Sequence, residues 1–482
     1  MTQPAYPVSP STANLLIRGA TVVDPRDGSL QCDQDVLIEG ERIVSVGPSQ
    51  QGEVLPTLHV VEAHGKYLVP GFADMHAHPL SQKNPAGSLE LMLAHGITGF
   101  RQMSGSVQML KQRDAGTLLP SDSPRLLAMP GPILTPLNAR SAAAALVTVR
   151  EQHALGADFI KAGLVTSEVF YETQTEARRL GIPILGHLPN GIDVVRASGE
   201  GMKSIEHLGP GVGILACCSA EHDAIQSDAA ARAQLKVPPL LIPLLGPVFE
   251  RAVRKIVINP INLVRQADVD LLERASGTFD PGAAATLAER FVRDGTWQVP
   301  TLIRSRTTLT CDDDALSGDP NLRYISSSTL KGWSKASKKF SKFPTASKGT
   351  FRLVNATLLK LTKLLDDVGV RMLAGSDACG AAWEVPGIAL HQEFDELARA
   401  GLSPLRILQM TTRDAADFLN AADDMGSVSA GKYADLVLLD ANPIESVDHL
   451  HGIAGVVRSG RYYAKERLDA LKENVASARS VQ

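Results

Sequence analysis

The chain has 482 residues, enough for one large domain or two to three ordinary ones, and its 44% hydrophobic content can fill a sizeable core. Forty-eight Lys and Arg against 52 Asp and Glu leave a formal net charge of −4, which gives no basis for nucleic acid or an anionic membrane as partner. Five cysteines (Cys32, Cys217, Cys218, Cys311 and Cys379) with no CxxC pair argue against a disulfide framework and fit reduced thiols.

Met1 to Pro7 is neither basic nor apolar in the manner of a signal peptide, so a cytoplasmic location is expected. Residues 15–25 and 35–47 are β-rich runs around Gly and Asp turns, and 434–440 with 453–463 form a second such patch. Neither patch can close a core alone. The two chain ends, 1–66 and 424–482, are therefore expected to pair into one small β-domain, a sandwich. Between them, 67–423 alternates strand and helix. Strands are predicted at 67–75, 96–102, 125–130, 158–162, 182–187, 203–207, 298–302 and 371–376. Helices are predicted at 141–155, 167–180, 388–400 and 404–420, the last with Ser403 as N-cap and Pro404 in its first turn. Such alternation predicts an α/β fold with a parallel sheet, and eight repeats predict closure into a (β/α)8 TIM-like barrel with its reactive groups at the strand C-termini.

Two segments, 211–280 and 305–350, exceed the repeat and read as long inserts. The first carries the apolar run 237–249, broken by Pro238, Pro239, Pro243 and Pro247; it is too short to span a bilayer and suits a lid or a subunit contact, hence an expected homo-oligomer. The second carries Lys331, Lys335, Lys338, Lys339, Lys342 and Lys348 and reads as a solvated mobile loop, with recognition of an anionic group as the alternative.

Polar groups recur at the predicted strand ends. His76 and His78 share one face, because a strand points residues i and i+2 the same way. Lys161, His187, His207 and Asp377 end strands four, five, six and eight. Four histidines, an aspartate and a lysine at one barrel rim are hard to explain as packing. His95 and His153 fall in helices and read as surface or packing residues, while His222 reaches the rim only if the first insert folds over it. Cys379 reads as a small buried residue. For substrate, Arg304, Arg101 and Asn138 follow strands seven, two and three, and each is suited to grip a carboxylate or carbonyl.

These motifs resemble the amidohydrolase superfamily, and within it the prolidase-like and imidazolonepropionase-like branch. The resemblance runs through Pro70-Gly-Phe-Ala-Asp-Met-His-Ala-His78, Phe159-Ile-Lys161, Gly186-His187, Ile205-Glu-His207, Gly375-Ser-Asp377 and the closing run from Gly426 to Pro443, and covers nearly the whole chain. The inserts depart from it. It implies that His76, His78 and Asp377 hold one divalent ion and His187 and His207 a second. Lys161 bridges them as a CO2-derived carbamate, since an ammonium cannot ligate a cation. Zn²⁺ suits such ligands best, with Mn²⁺ or Co²⁺ as alternatives. The implied reaction is attack of a metal-bridging hydroxide on an amide carbonyl in a dipeptide or N-acyl amino acid, with Asp377 as general acid/base and the small molecule as the partner.

Alternatives remain open. An unmodified Lys161 leaves a mononuclear site, and lactone or phosphotriester hydrolysis uses the same hydroxide. A mononuclear site suits deamination or the opening of a cyclic amidine, but deaminases of the superfamily usually carry a glutamate three residues past the strand-five histidine, where this chain has Asn190. A barrel kept as a non-catalytic scaffold is the remaining reading.

Overall fold

In the computed structural model, residues 15–50, 58–189, 191–231, 257–378 and 380–478 are described; Asn190, Cys379 and the proline-broken run 237–249 lie outside them. The strands, in chain order, are β1 (Leu15–Val23), β2 (Leu30–Glu39), β3 (Arg42–Pro48), β4 (His59–Glu62), β5 (Tyr67–Pro70), β6 (Phe72–Ala77), β7 (Ile97–Gln102), β8 (Arg125–Ala128), β9 (Ile160–Ala162), β10 (Ile184–Gly186), β11 (Ser204–Glu206), β12 (Trp297–Val299), β13 (Leu436–Leu439), β14 (Ile453–Arg458) and β15 (Arg461–Ala464).

The two chain ends meet in one eight-stranded sheet of order β15-β14-β13-β5-β1-β2-β3, with β4 also on β1. Its core is aliphatic, with Ile17, Val36, Ile38, Leu68, Leu436, Leu438 and Val457 in one cluster. The hairpin β14–β15 turns at Ser459 and Gly460, with φ of 51° and 73°; two positive φ values match the twist of the flanking strands. Gly460 is required there twice over, because a Cβ would stand 1.7 Å from the Gly40 carbonyl oxygen, in the turn between β2 and β3.

The predicted strand 67–75 is two strands. β5 pairs with β1 and, antiparallel, with β13, whereas β6 pairs with β7. The break falls at Gly71, where a Cβ would lie 2.0 Å from Thr98 Oγ1, and whose N–H donates to the Asp435 carbonyl at 2.8 Å. The end sheet therefore reaches past residue 66, to Pro70.

The remaining strands are parallel, in two sheets: β6-β7-β8 and β9-β10-β11-β12. The closed eight-stranded ladder expected from the repeats is not formed by these strands. One seam is spanned by the bridge Leu134↔Ala162, the other by Gln298↔Met372. The predicted eighth strand, 371–376, is an extended segment that donates from Leu373 N to Gln298 O at 3.0 Å and accepts at Ala374 O from Met75 N at 3.0 Å. Just past β11, β12 and the extended segment the chain turns through a left-handed residue, with φ of 58° at His207, 44° at Thr301 and 57° at Asp377.

Helices lie where predicted at Ala142–Ala154, Ser167–Leu180 and Ile388–Arg399. The predicted helix 404–420 begins as expected, with Ser403 Oγ accepting from Arg406 N at 3.2 Å. It then divides into Pro404–Met410 and Arg413–Phe418, because Thr411 leaves the helix to bond β6: Ala73 N donates to Thr411 O at 2.8 Å and Thr411 Oγ1 to Ala73 O at 3.0 Å. The second insert is not a loop. It holds the helices Asp314–Ser317 and Ser327–Phe340 and the start of Thr345–Val368. Trp333 and Phe340 anchor the lysine-bearing helix, with ring centroids 5.8 Å from Trp383 and 5.6 Å from Phe351. An apolar stripe on one face lets a lysine-rich segment fold, which its charge alone did not suggest. The described part of the first insert is likewise helical, at Gly213–Cys217, His222–Ala231 and Gln266–Gly277. No described helix is long and apolar enough to cross a membrane.

Candidate metal centre

Three ligand-type side chains converge where β6 meets the segment after residue 371. His76 Nε2 and His78 Nε2 each lie 3.1 Å from Asp377 Oδ1. The period of two puts both rings on one side, and the left-handed turn at Asp377 swings its carboxylate towards them. The two backbones interlock, with Asp377 N donating to His76 O at 2.7 Å and His78 N to Ala378 O at 2.6 Å. Asp74 holds the same junction, accepting from His76 N at 3.2 Å, Ser376 N at 3.0 Å and Ser376 Oγ at 2.6 Å. Burial lifts the Asp74 carboxyl to a pKa of about 6 against those hydrogen bonds.

His76 has a determined role. Its Nδ1 is 2.5 Å from Glu206 Oε2, and a carboxylate only accepts, so Nδ1 carries the hydrogen. In the neutral ring Nε2 then presents a lone pair to Asp377 Oδ1, itself an acceptor. Two acceptors at 3.1 Å repel unless a cation, or a second proton on the ring, sits between them. His207 is committed in the same sense. Thr301 Oγ1 donates its one hydrogen to Pro300 O at 2.8 Å and so accepts from His207 Nδ1 at 2.5 Å, leaving Nε2 free. The His207 ring centroid lies 4.6 Å from that of His76 and 5.1 Å from that of His187. Lys161 Nζ is buried and 3.4 Å from His76 Nε2. This donor set, with imidazoles and a carboxylate around a buried amine, fits divalent cations.

Electrostatics agree with that fit. Burial pulls His78 down to about 4 and His187 to about 3, the Lys161 charge adding to both, and burial takes His207 well below its usual range, so these rings are uncharged at pH 7, the form in which an imidazole can hold a cation. Burial also lowers Lys161 to about 8, close enough to neutrality for a share of free amine. Asp377 goes the other way. Burial alone would raise it, but Arg304 and then the His207 and His76 rings outweigh burial and hold it well below the carboxylate range. Arg304 Nη1 stands 2.6 Å from Asp377 Oδ2.

The structure thus brings His76, His78, Lys161, His187, His207 and Asp377 together. Of the predicted substrate contacts, Arg304 alone touches Asp377. Arg101 is fully buried beneath the rings, its Nε donating to Met75 O at 2.6 Å and its Nη2 to Glu206 at 3.0 and 3.2 Å. Asn138 is spent on its own loop, accepting from Thr135 N at 2.8 Å and donating to Ile133 O at 3.0 Å. His95 and His222 bond main-chain carbonyls of their own segments, at Leu91 and Ala216. Sequence reasoning missed Glu206, Asp74 and Thr301. The first two stand inside quoted motifs, beside His207 and two residues before His76, and adjacency to a ligand was the available signal.

A profile of the amidohydrolase family matches residues 311–463. The adenine deaminase of Deinococcus radiodurans is 41% identical over 86 residues; the match covers 18% of this chain and only 15% of the deaminase, a small part of that relative's length. Among solved structures, bottromycin amidohydrolase superposes with a TM-score of 0.69 at 22% identity, covering 96% of this chain and 90% of its own. A Xaa-Pro dipeptidase with bound methionine in its active site superposes with a TM-score of 0.59 at 17% identity, covering 94% of this chain and all of its own (100%). At these identities the likeness is one of fold.

Proposed function

We propose that this chain is a member of the amidohydrolase superfamily and a metal-dependent hydrolase that cleaves an amide bond in a dipeptide or N-acyl amino acid. The observation that carries the reading is the His76 ring, whose Nδ1 is committed to Glu206 while Nε2 faces Asp377 Oδ1 at 3.1 Å, with Lys161 3.4 Å away. His76, His78 and Asp377 would hold one divalent ion, His187 and His207 a second, and Lys161 would join them as a carbamate. Bound there, Zn²⁺ or a similar ion would lower the pKa of water from about 16 towards 7 and polarise a carbonyl.

The chain's own groups supply the rest. The Lys161 amine, partly neutral because it is buried, attacks CO2 through Nζ and sheds a proton, which turns a donor into an acceptor. The Asp377 carboxylate, ionised because Arg304 holds Oδ2, takes a proton from the attacking water and returns it to the leaving amine. The rest of the Arg304 fork would meet a carboxylate on the substrate.

A second reading, removal of ammonia from an aminopurine, is favoured by the short deaminase match. One experiment separates the two. Metal-reconstituted protein is assayed against dipeptides, N-acyl amino acids and adenine, beside Asp377→Asn and a chelated sample. Amine release that falls by at least about 100-fold in the variant and with chelator supports the proposal. Ammonia from adenine alone would replace it, and full amidase activity after chelation would end it.

A further inference from the structure

The metal-hydrolase reading leaves unexplained why the protein interior beneath the histidines holds an ion pair. Arg101 and Glu206 are both fully buried, and such a pair is no more stabilising than well-packed apolar residues, because desolvation offsets the attraction. Its contacts are directional. Glu206 Oε1 accepts from Arg101 Nη2 at 3.0 Å and from Ser204 Oγ at 2.6 Å, while Oε2 accepts from Arg101 Nη2 at 3.2 Å and from His76 Nδ1 at 2.5 Å. Arg101 is pinned in turn by Nε on Met75 O at 2.6 Å, the carbonyl of the residue before His76. One guanidinium therefore grips both the backbone of the ligand strand and the carboxylate that faces its ring.

We propose that Glu206, keyed by Arg101, is a positioning residue that locks the His76 ring as a metal ligand through Nε2. Among the described residues, no other side chain bonds His76 Nδ1. The second ring, one residue past the end of β6, has a weaker partner: His78 Nδ1 meets Ser104 Oγ at 2.8 Å, and a hydroxyl can donate or accept, so it does not select a tautomer. Orienting bonds of this kind set ligand basicity and ring pose, and their loss typically weakens metal binding by about 10–100-fold. The proposal rests on the metal-hydrolase reading, and its test uses binding rather than turnover.

Metal-stripped wild type, Glu206→Gln and the double variant Arg101→Met/Glu206→Gln are titrated with Zn²⁺ and with Co²⁺ against a chromophoric chelator, and Co²⁺ absorption is recorded. The double variant removes both charges and so leaves no unpaired ion if the single variant fails to fold. Phe351→Ala, a core truncation under the second insert, controls for lost stability. We expect both Glu206 variants to bind about 10–100-fold more weakly with an altered Co²⁺ spectrum, and Phe351→Ala to bind as wild type. Wild-type affinity and spectrum in the Glu206 variants would overturn the positioning role while leaving the metal reading intact. Failure of the wild type to bind either metal would overturn the metal reading, and the positioning role with it.

Discussion

Asp435 joins the end sheet to the strand that carries the histidines, and Asp435→Asn tests that junction. Its Oδ1 accepts from Ser459 N at 2.7 Å and Arg458 Nη1 at 3.3 Å, its Oδ2 accepts from Arg125 Nε at 3.1 Å, and its main-chain carbonyl accepts from Gly71 at the head of β6. The three side chains are 13–19% exposed, so the pair is largely desolvated. Removing one partner of such a pair costs about 3–5 kcal/mol, and because Glu41 still neutralises Arg125 at 3.0 Å we expect the lower end. Burial alone would raise the Asp435 carboxyl; Arg458 and then Arg125 outweigh it and hold it below the usual value. A depressed carboxyl contributes stability above its unfolded pKa of about 3.9 and loses it as pH falls through the lower folded value. Urea unfolding of both proteins should therefore show a gap that is constant from pH 6 to 8 and closes below about pH 4. An unchanged midpoint at pH 7, or a gap that widens in acid, would refute the reasoning.

Three further changes follow from the same packing. Gly375→Ala places a Cβ 2.6 Å from His76 Cβ and 2.8 Å from His76 N, so it should cost about 1–3 kcal/mol and lower metal stoichiometry, read by melting and elemental analysis; wild-type metal content would count against the close approach. Phe72→Ala removes a ring stacked edge-on against Phe394 (5.5 Å) and His391 (5.9 Å) and should cost about 3–5 kcal/mol in urea; a loss below about 1 kcal/mol would mean that the site collapses around the gap. Arg304→Met removes the main charge that lowers Asp377, so the acid limb of the kcat/KM profile should move to higher pH; an unmoved limb would detach Arg304 from that carboxylate.

The ligand-type residues were legible because each ends a predicted strand, and two of them share the period of two. What surrounds them was not. Asp74 bonds Ser376, and Glu206 bonds His76, across 302 and 130 positions of sequence, and such pairings exist only once the strands are side by side. Arg101 read as a substrate contact because it follows a strand, yet its donors face inward to Glu206 and Met75. The split at Gly71 was hidden in a continuous apolar run, since it depends on the Thr98 side chain of the neighbouring strand. Thr411 broke a helix that propensity favoured because its backbone was needed by Ala73.

The pairing of β5 with β13 also sets an order for folding during synthesis. Leu68 finds its partner in Leu438, so one edge of β5 stays open while everything between is made. At about 5–20 residues per second, roughly 370 residues take about 20–70 s to emerge. Throughout that interval an apolar strand edge next to the histidine strand is available to other nascent chains. Yield of the folded protein should therefore depend on chaperone supply and translation speed more than on the strength of the finished sheet.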